Sequence, residues 1–248
     1  MGLWFVICIF EKKVTISNLL INITYFFEVA PFIFCLINLK KLKTKERRVF
    51  FAYTLFVAVF ILLAFTARSV FHSRTAAYIV ARIYDVIEYS LLSYFFSLNT
   101  KNAIVKRITL FTIIPFIGYC IYDYLSAKVP GFAFVPLVIE GLTLLIVLIY
   151  IFYEKMQYSL DIAVHQTSFF WVAVAFVVYF AGSFFLFLYS KNSYQDDSFR
   201  NQYTIIYSVV TISKDILLCI STFVKDKDKT PQSSVIQSPF DSFLPFTN

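Results

Sequence analysis

The sequence predicts an all-α, polytopic bundle of seven transmembrane helices, and three observations carry that expectation. Of its 248 residues, 59% are hydrophobic and only 15% charged, where a soluble domain carries about 25% charged residues. The apolar residues fall in blocks near the ~20 residues that a helix needs to cross hydrocarbon. The basic residues, which give the net charge of +7, cluster in the connections between those blocks. That placement is an orientation signal rather than a nucleic-acid footprint, so no nucleic acid is expected as a partner.

The first ten residues, MGLWFVICIF, are apolar but too short to span, and Lys12 and Lys13 follow rather than precede them. A secretory signal would have its charge first, so residues 1–15 read as a short interfacial segment. The first span is expected over 16–39 and is followed by the basic run KKLKTKERR. The second covers about 49–67, and a short connection with Arg68, His72 and Arg74 leads to the third, about 76–98, the most polar of the set. Lys101, Lys106 and Arg107 read as a loop. The fourth span, about 108–127, contains Pro115, which membrane helices tolerate and which often kinks them. Pro130 and Gly131 mark a turn to the fifth span, about 132–153. Glu154, Lys155, Asp161 and His165 read as loop residues, and the last two spans are expected at 168–190 and 203–224. Residues 225–248 mix charge, Ser, Pro and scattered Phe without period and read as a disordered tail. The membrane domain is thus 16–224.

Seven spans place the termini on opposite sides. The connections after spans one, three and five, with the tail, hold 13 Lys and Arg against 7 on the other side. The positive-inside rule then puts the N-terminus outside and the C-terminus in the cytoplasm.

Charge at mid-bilayer is costly and marks function by default. Here Glu28, Asp85, Glu88, Glu140, Lys214 and Asp215 fall roughly 12–18 Å from the outer end of their helices, with Arg82 shallower and Asp123 near the outer end of its helix. Arg82, Asp85 and Glu88 follow an i, i+3, i+6 stripe whose neighbours can pair. Lys214 and Asp215 are adjacent, about 100° apart around their helix, and are not expected to share one partner. Five acids facing Arg82 and Lys214 leave surplus negative charge. The surplus must be protonated, hydrated or matched by a cationic ligand or ion. One reading is a salt-bridge lock. The other is a polar pocket open to the outside, lined by spans one, three, five and seven. In it Glu28, Glu88 and Glu140 touch a small ligand or cation, and Arg82 and Lys214 hold the remaining acids.

Enzyme chemistry is not indicated: no H-E-x-x-H, G-x-S-x-G or P-loop occurs, and the only histidines are His72 and His165. The four cysteines have no metal-ligand spacing, and no cofactor is expected. Lys214 in the last span, with Arg82 and Asp85 three apart in the third, resembles the microbial rhodopsins, in which such a lysine carries retinal. The carboxylate those proteins place one turn before the lysine is Val210 here, so no stable pigment is expected.

The segments SFFWVAVAFVVYFAGSFFLFLYS (168–190), YTIIYSVVTISKDILLCIS (203–221) and IYDVIEYSLLSYFF (83–96) resemble small seven-helix membrane proteins of Bacteroidota. They also resemble the membrane sensor halves of some histidine kinases. That resemblance implies a seven-helix bundle that senses a ligand and passes the signal to a cytoplasmic or membrane partner. The alternative on the same acids is a proton- or cation-coupled transporter using them as a relay.

Overall fold

The structure is a computed structural model, and it describes residues 16–41, 43–70, 74–126, 134–158, 166–193 and 197–224. The expected interfacial segment 1–15, the tail 225–248, and Cys8, His72, Pro130, Gly131, Asp161 and His165 lie outside the described residues. The described residues are almost wholly helical, with no strand among them. The helices are α1 (Ile16–Ile37), α2 (Lys45–Val70), α3 (Arg74–Asn99), α4 (Ala103–Phe111), α5 (Ile113–Ser126), α6 (Phe134–Tyr158), α7 (Ser168–Ser193) and α8 (Asp197–Phe223). A 3-10 turn, Leu39–Lys41, follows α1. Because α4 and α5 run on as one rod, the eight α-helices among the described residues make seven rods.

Several expected boundaries move, each for a local reason. The fourth rod starts at Ala103 rather than near 108, because Asn102 caps it. The Asn102 Oδ1 accepts from the backbone N–H of Ile104 at 2.9 Å and of Val105 at 3.4 Å, which satisfies donors a helix start leaves open. Lys106 and Arg107 are therefore helical. The break at Thr112 lies one turn before Pro115. Proline has no N–H for the Phe111 carbonyl, and its ring crowds that carbonyl. The sixth helix runs on to Tyr158, which places Glu154 and Lys155 on helix, not loop. α2 begins at Lys45, with Glu46 in its first turn, where a negative charge suits the helix dipole. α8 begins at Asp197 rather than 203. Pro31 sits inside α1, which continues through it.

The rods close into a ring. Each packs on the next in chain order, α8 returns to α1, and α3 crosses the interior to meet α6. α1, α3, α6 and α8 finish at the end of the bundle that carries the 40–48 connection, and α2, α4 and α7 begin there. We call this the basic end. Gly182 of α7 lets α8 approach closely: a Cβ there would lie 2.8 Å from Cγ2 of Val210. Small residues at such crossings are how membrane helices bring their backbones together.

The outside of the ring is apolar and the inside is polar. Phe26, Leu62, Ile83, Phe111, Leu125, Ile149, Phe185 and Val209, one on each helix, are exposed. Ser93, Ser97, Ser208, Thr211 and Ser221 are fully enclosed with the charged residues. A soluble protein buries the first kind and exposes the second. Among the described residues, five segments are long and apolar enough to cross a membrane: Leu19–Ile37, Ala103–Ser126, Val135–Gln157, Ser168–Leu186 and Asn201–Phe223. The other two rods, α2 and α3, are each 26 residues long, or about 39 Å at 1.5 Å per residue.

Candidate functional site: a charged interior above an aromatic floor

All seven residues singled out by charge and depth are in the interior. Glu28, Arg82, Asp85, Glu88, Glu140, Lys214 and Asp215 each have a relative exposure of 6% or less. Counting residues from the basic end separates two layers. Glu28, Glu88, Lys214 and Asp215 lie about 12–17 Å from that end, and Asp85, Arg82 and Glu140 about 21–27 Å.

In the layer farther from the basic end, Arg82 is shared. Its guanidinium contacts Asp123 of α5 and lies 3.9 Å from the carboxylate of Asp85, one turn along its own helix. Glu140 of α6 is close enough to Asp85 and Glu88 for their charges to act on it. Neither of its carboxylate oxygens has a hydrogen-bond partner among the described residues. A buried carboxyl without partners loses its hydration and receives nothing in return.

In the other layer, Lys214 and Asp215 form an ion pair, Nζ to Oδ1 at 3.2 Å. Their 100° separation around α8 did not predict this. A lysine stem is long enough to fold back across one residue, and both groups avoid lipid by doing so. The Lys214 ammonium also lies 4.9 Å from the centre of the Tyr179 ring, within cation–π range. Glu28 of α1 is within reach of the charges of Lys214, Asp215 and Glu88, and its Oε2 has no hydrogen-bond partner among the described residues. Glu88 accepts a hydrogen bond from the Tyr53 hydroxyl at 3.1 Å.

The tyrosines are what charge counting missed. Tyr53, Tyr84, Tyr179 and Tyr207 are all buried, and the Glu88 charge acts on all four. The Tyr179 and Tyr207 hydroxyls are 3.3 Å apart, and Tyr203 stacks on Tyr207 at 5.9 Å. A signal for them exists in α8: Tyr203, Tyr207, Thr211 and Lys214 follow i, i+4, i+8, i+11, one helix face.

Below this layer lies an aromatic floor. Phe176 packs on Tyr53 at 5.7 Å and on Phe96 at 5.8 Å; Phe95 packs on Phe50 at 6.1 Å and on Phe169 at 6.2 Å. All five phenylalanines are buried. The ammonium of Lys155 caps the floor, 4.4 Å from the Phe169 ring centre.

At the basic end, Glu154 closes the α3–α4 turn. It accepts from the Thr100 hydroxyl at 2.6 Å and from the backbone N–H of Lys101 and Asn102 at 2.9 and 3.1 Å. Asn102 in turn donates to the Tyr150 hydroxyl at 2.8 Å. At the break between α4 and α5, Tyr89 donates to Thr112 Oγ1 at 2.8 Å. A small cavity near the basic end is lined by Cys35, Asn38, Arg47, Phe50, Ser168, Ser221 and Thr222.

No protein family, curated protein or solved structure matches this chain.

Proposed function

We propose that the chain is a seven-span membrane receptor or sensor of the bacterial inner membrane, with its N-terminus outside and its C-terminus cytoplasmic. It takes a small cation or cationic ligand from the outside into its acidic interior and passes the change to a partner at the basic, cytoplasmic end. The observation that carries this reading is Glu140: a carboxyl 1% exposed, beside two other acids, with neither oxygen hydrogen-bonded among the described residues. A lock built only for stability would pair its charges, since an unpaired one is a strong liability. Five buried acids at this depth, Glu28, Asp85, Glu88, Glu140 and Asp215, face two buried bases, Arg82 and Lys214, a surplus that suits a positive occupant.

The aromatic floor favours a receptor over the transporter alternative. A carrier needs a polar route on both sides of its site, and on the side of the basic end five buried phenylalanines, Phe50, Phe95, Phe96, Phe169 and Phe176, pack between the helices below Glu88 and Lys214. The K/R asymmetry and the aromatic residues Tyr150, Tyr153 and Trp171 near the basic end support its placement at the cytoplasmic face.

The test uses the full chain in lipid nanodiscs and in proteoliposomes. Amide exchange at the basic end should change when sodium, protons or methylammonium are added, and Glu140→Gln should abolish the change without lowering the melting temperature. A loss of stability in Glu140→Gln with no cation response in the native protein would establish a lock instead. Cation flux into proteoliposomes that depends on Glu140 would establish the transporter.

A further inference from the structure

The interior also has the chemistry to select among cations. A metal ion needs several oxygen ligands converging on one point, and among the described residues no three Asp, Glu, His or Cys side chains are so placed. The acids are spread over α1, α3, α6 and α8, and three buried tyrosines, Tyr53, Tyr84 and Tyr207, lie within reach of the charges of both Glu28 and Glu88. Ring faces attract diffuse positive charge, and carboxylates supply the counter-charge; together they suit ammonium ions, whose C–H and N–H surface rings can cover.

One ammonium already sits there. Lys214 Nζ lies over the Tyr179 ring at 4.9 Å and against Asp215 at 3.2 Å. It shows what this part of the interior accepts. Lys214 and Asp215 balance each other, which leaves Glu28, with an oxygen that no described residue hydrogen-bonds, facing that layer. The hydroxyls of Tyr53, Tyr84 and Tyr207 lie within the reach of both the Glu28 and the Glu88 charge.

We propose that the occupant is a small organic ammonium ion, an alkylamine or quaternary ammonium, held by Glu28 and Glu88 among the rings of Tyr53, Tyr84, Tyr179 and Tyr207, beside or in place of the Lys214 ammonium. This rests on the cation-receptor reading above and narrows it to one chemical class. Glu28 supplies charge from α1, Tyr53 from α2 positions Glu88 of α3, and Tyr179 and Tyr207 come from α7 and α8. An ammonium bound here therefore draws five rods together.

The experiment measures the melting temperature of the purified chain against methylammonium, tetramethylammonium and sodium chloride at matched ionic strength. The ammonium salts should give a saturable rise with a midpoint at least ten-fold below that of sodium. Glu28→Gln and Tyr179→Leu should each weaken the midpoint ten-fold or more, and Tyr179→Phe, which keeps the ring face, should retain it. Lys214→Ala removes the resident ammonium, so methylammonium should restore much of the stability that variant loses. If Glu28→Gln does not fold, the Tyr179→Phe and Tyr179→Leu pair decides.

An ammonium response equal to that of sodium, or one indifferent to Tyr179, overturns the proposal. In that case a response to sodium or protons that requires Glu140 leaves the cation receptor standing. The absence of any response to sodium, protons or ammonium that depends on Glu28 or Glu140 ends both.

Discussion

Lys214 and Asp215 are consecutive in the chain and are each other's ion-pair partner, 3.2 Å apart in the interior of the bundle. The pair is net neutral, so it can sit in low dielectric where either charge alone could not. Removing one member should therefore cost more than removing both. Lys214→Met is expected to destabilise by about 3–5 kcal/mol, the usual cost of stranding a buried charge. Lys214→Met with Asp215→Asn should recover more than half of that loss. Thermal unfolding of the three variants in one detergent checks this, and a double variant as unstable as the single would show that the two residues do not act as a pair.

The α7–α8 crossing rests on one missing methyl group. Gly182→Ala would place a carbon 2.8 Å from Val210 Cγ2, and valine's stiff χ1 gives it little room to turn away. Overpacking of this kind costs about 1–3 kcal/mol. Val210→Ala added to Gly182→Ala should restore most of it. A fully stable Gly182→Ala protein would mean that the crossing is looser than described.

Glu154 holds three donors at the α3–α4 turn. Glu154→Ala leaves them without that acceptor, at a cost of about 1–3 kcal/mol. Hydrogen exchange should rise at the Lys101 and Asn102 amides and stay unchanged in the middle of α6. Unchanged exchange at those two amides would exclude the clamp.

Orientation has its own test. The 40–48 connection holds six of the chain's Lys and Arg residues, and the charge rule puts it in the cytoplasm. A reporter fused after Val224 should be active when it requires the cytoplasm and silent when it requires export. The reverse result would invert the bundle and reassign the aromatic floor to the outer side.

How much of this was legible in the sequence depended on the kind of signal. The helical rods were readable because hydrocarbon imposes a length, and runs such as 168–190 meet it. Rod ends were less so. Asn102 is a good cap, but Lys106 and Arg107 four and five residues later look like a loop when charge alone is weighed. Glu154 was misplaced in the same way, since helices continue beyond the hydrocarbon into the polar zone. That Arg82 meets Asp123, 41 residues away on another rod, is a tertiary fact with no local trace. The tyrosines around Glu88 were hidden by abundance: among 17 Tyr and 31 Phe, composition gives no reason to single out four.

The reversal of polarity, with apolar side chains outside and charge within, bears on how such a chain can change over generations. Lipid scarcely distinguishes Leu, Ile, Val and Phe, so Leu62, Phe111, Ile149 and Phe185 are free to drift among them. Glu28, Tyr53, Glu88, Glu140 and Lys214 are buried in the interior, where a change of size or charge meets packed neighbours rather than lipid. Two descendants of one ancestor can thus diverge over most of their length and still share this short, widely spaced set. Kinship in this fold would be written in a handful of interior positions, and a comparison that weighs every residue equally would read mostly the drift.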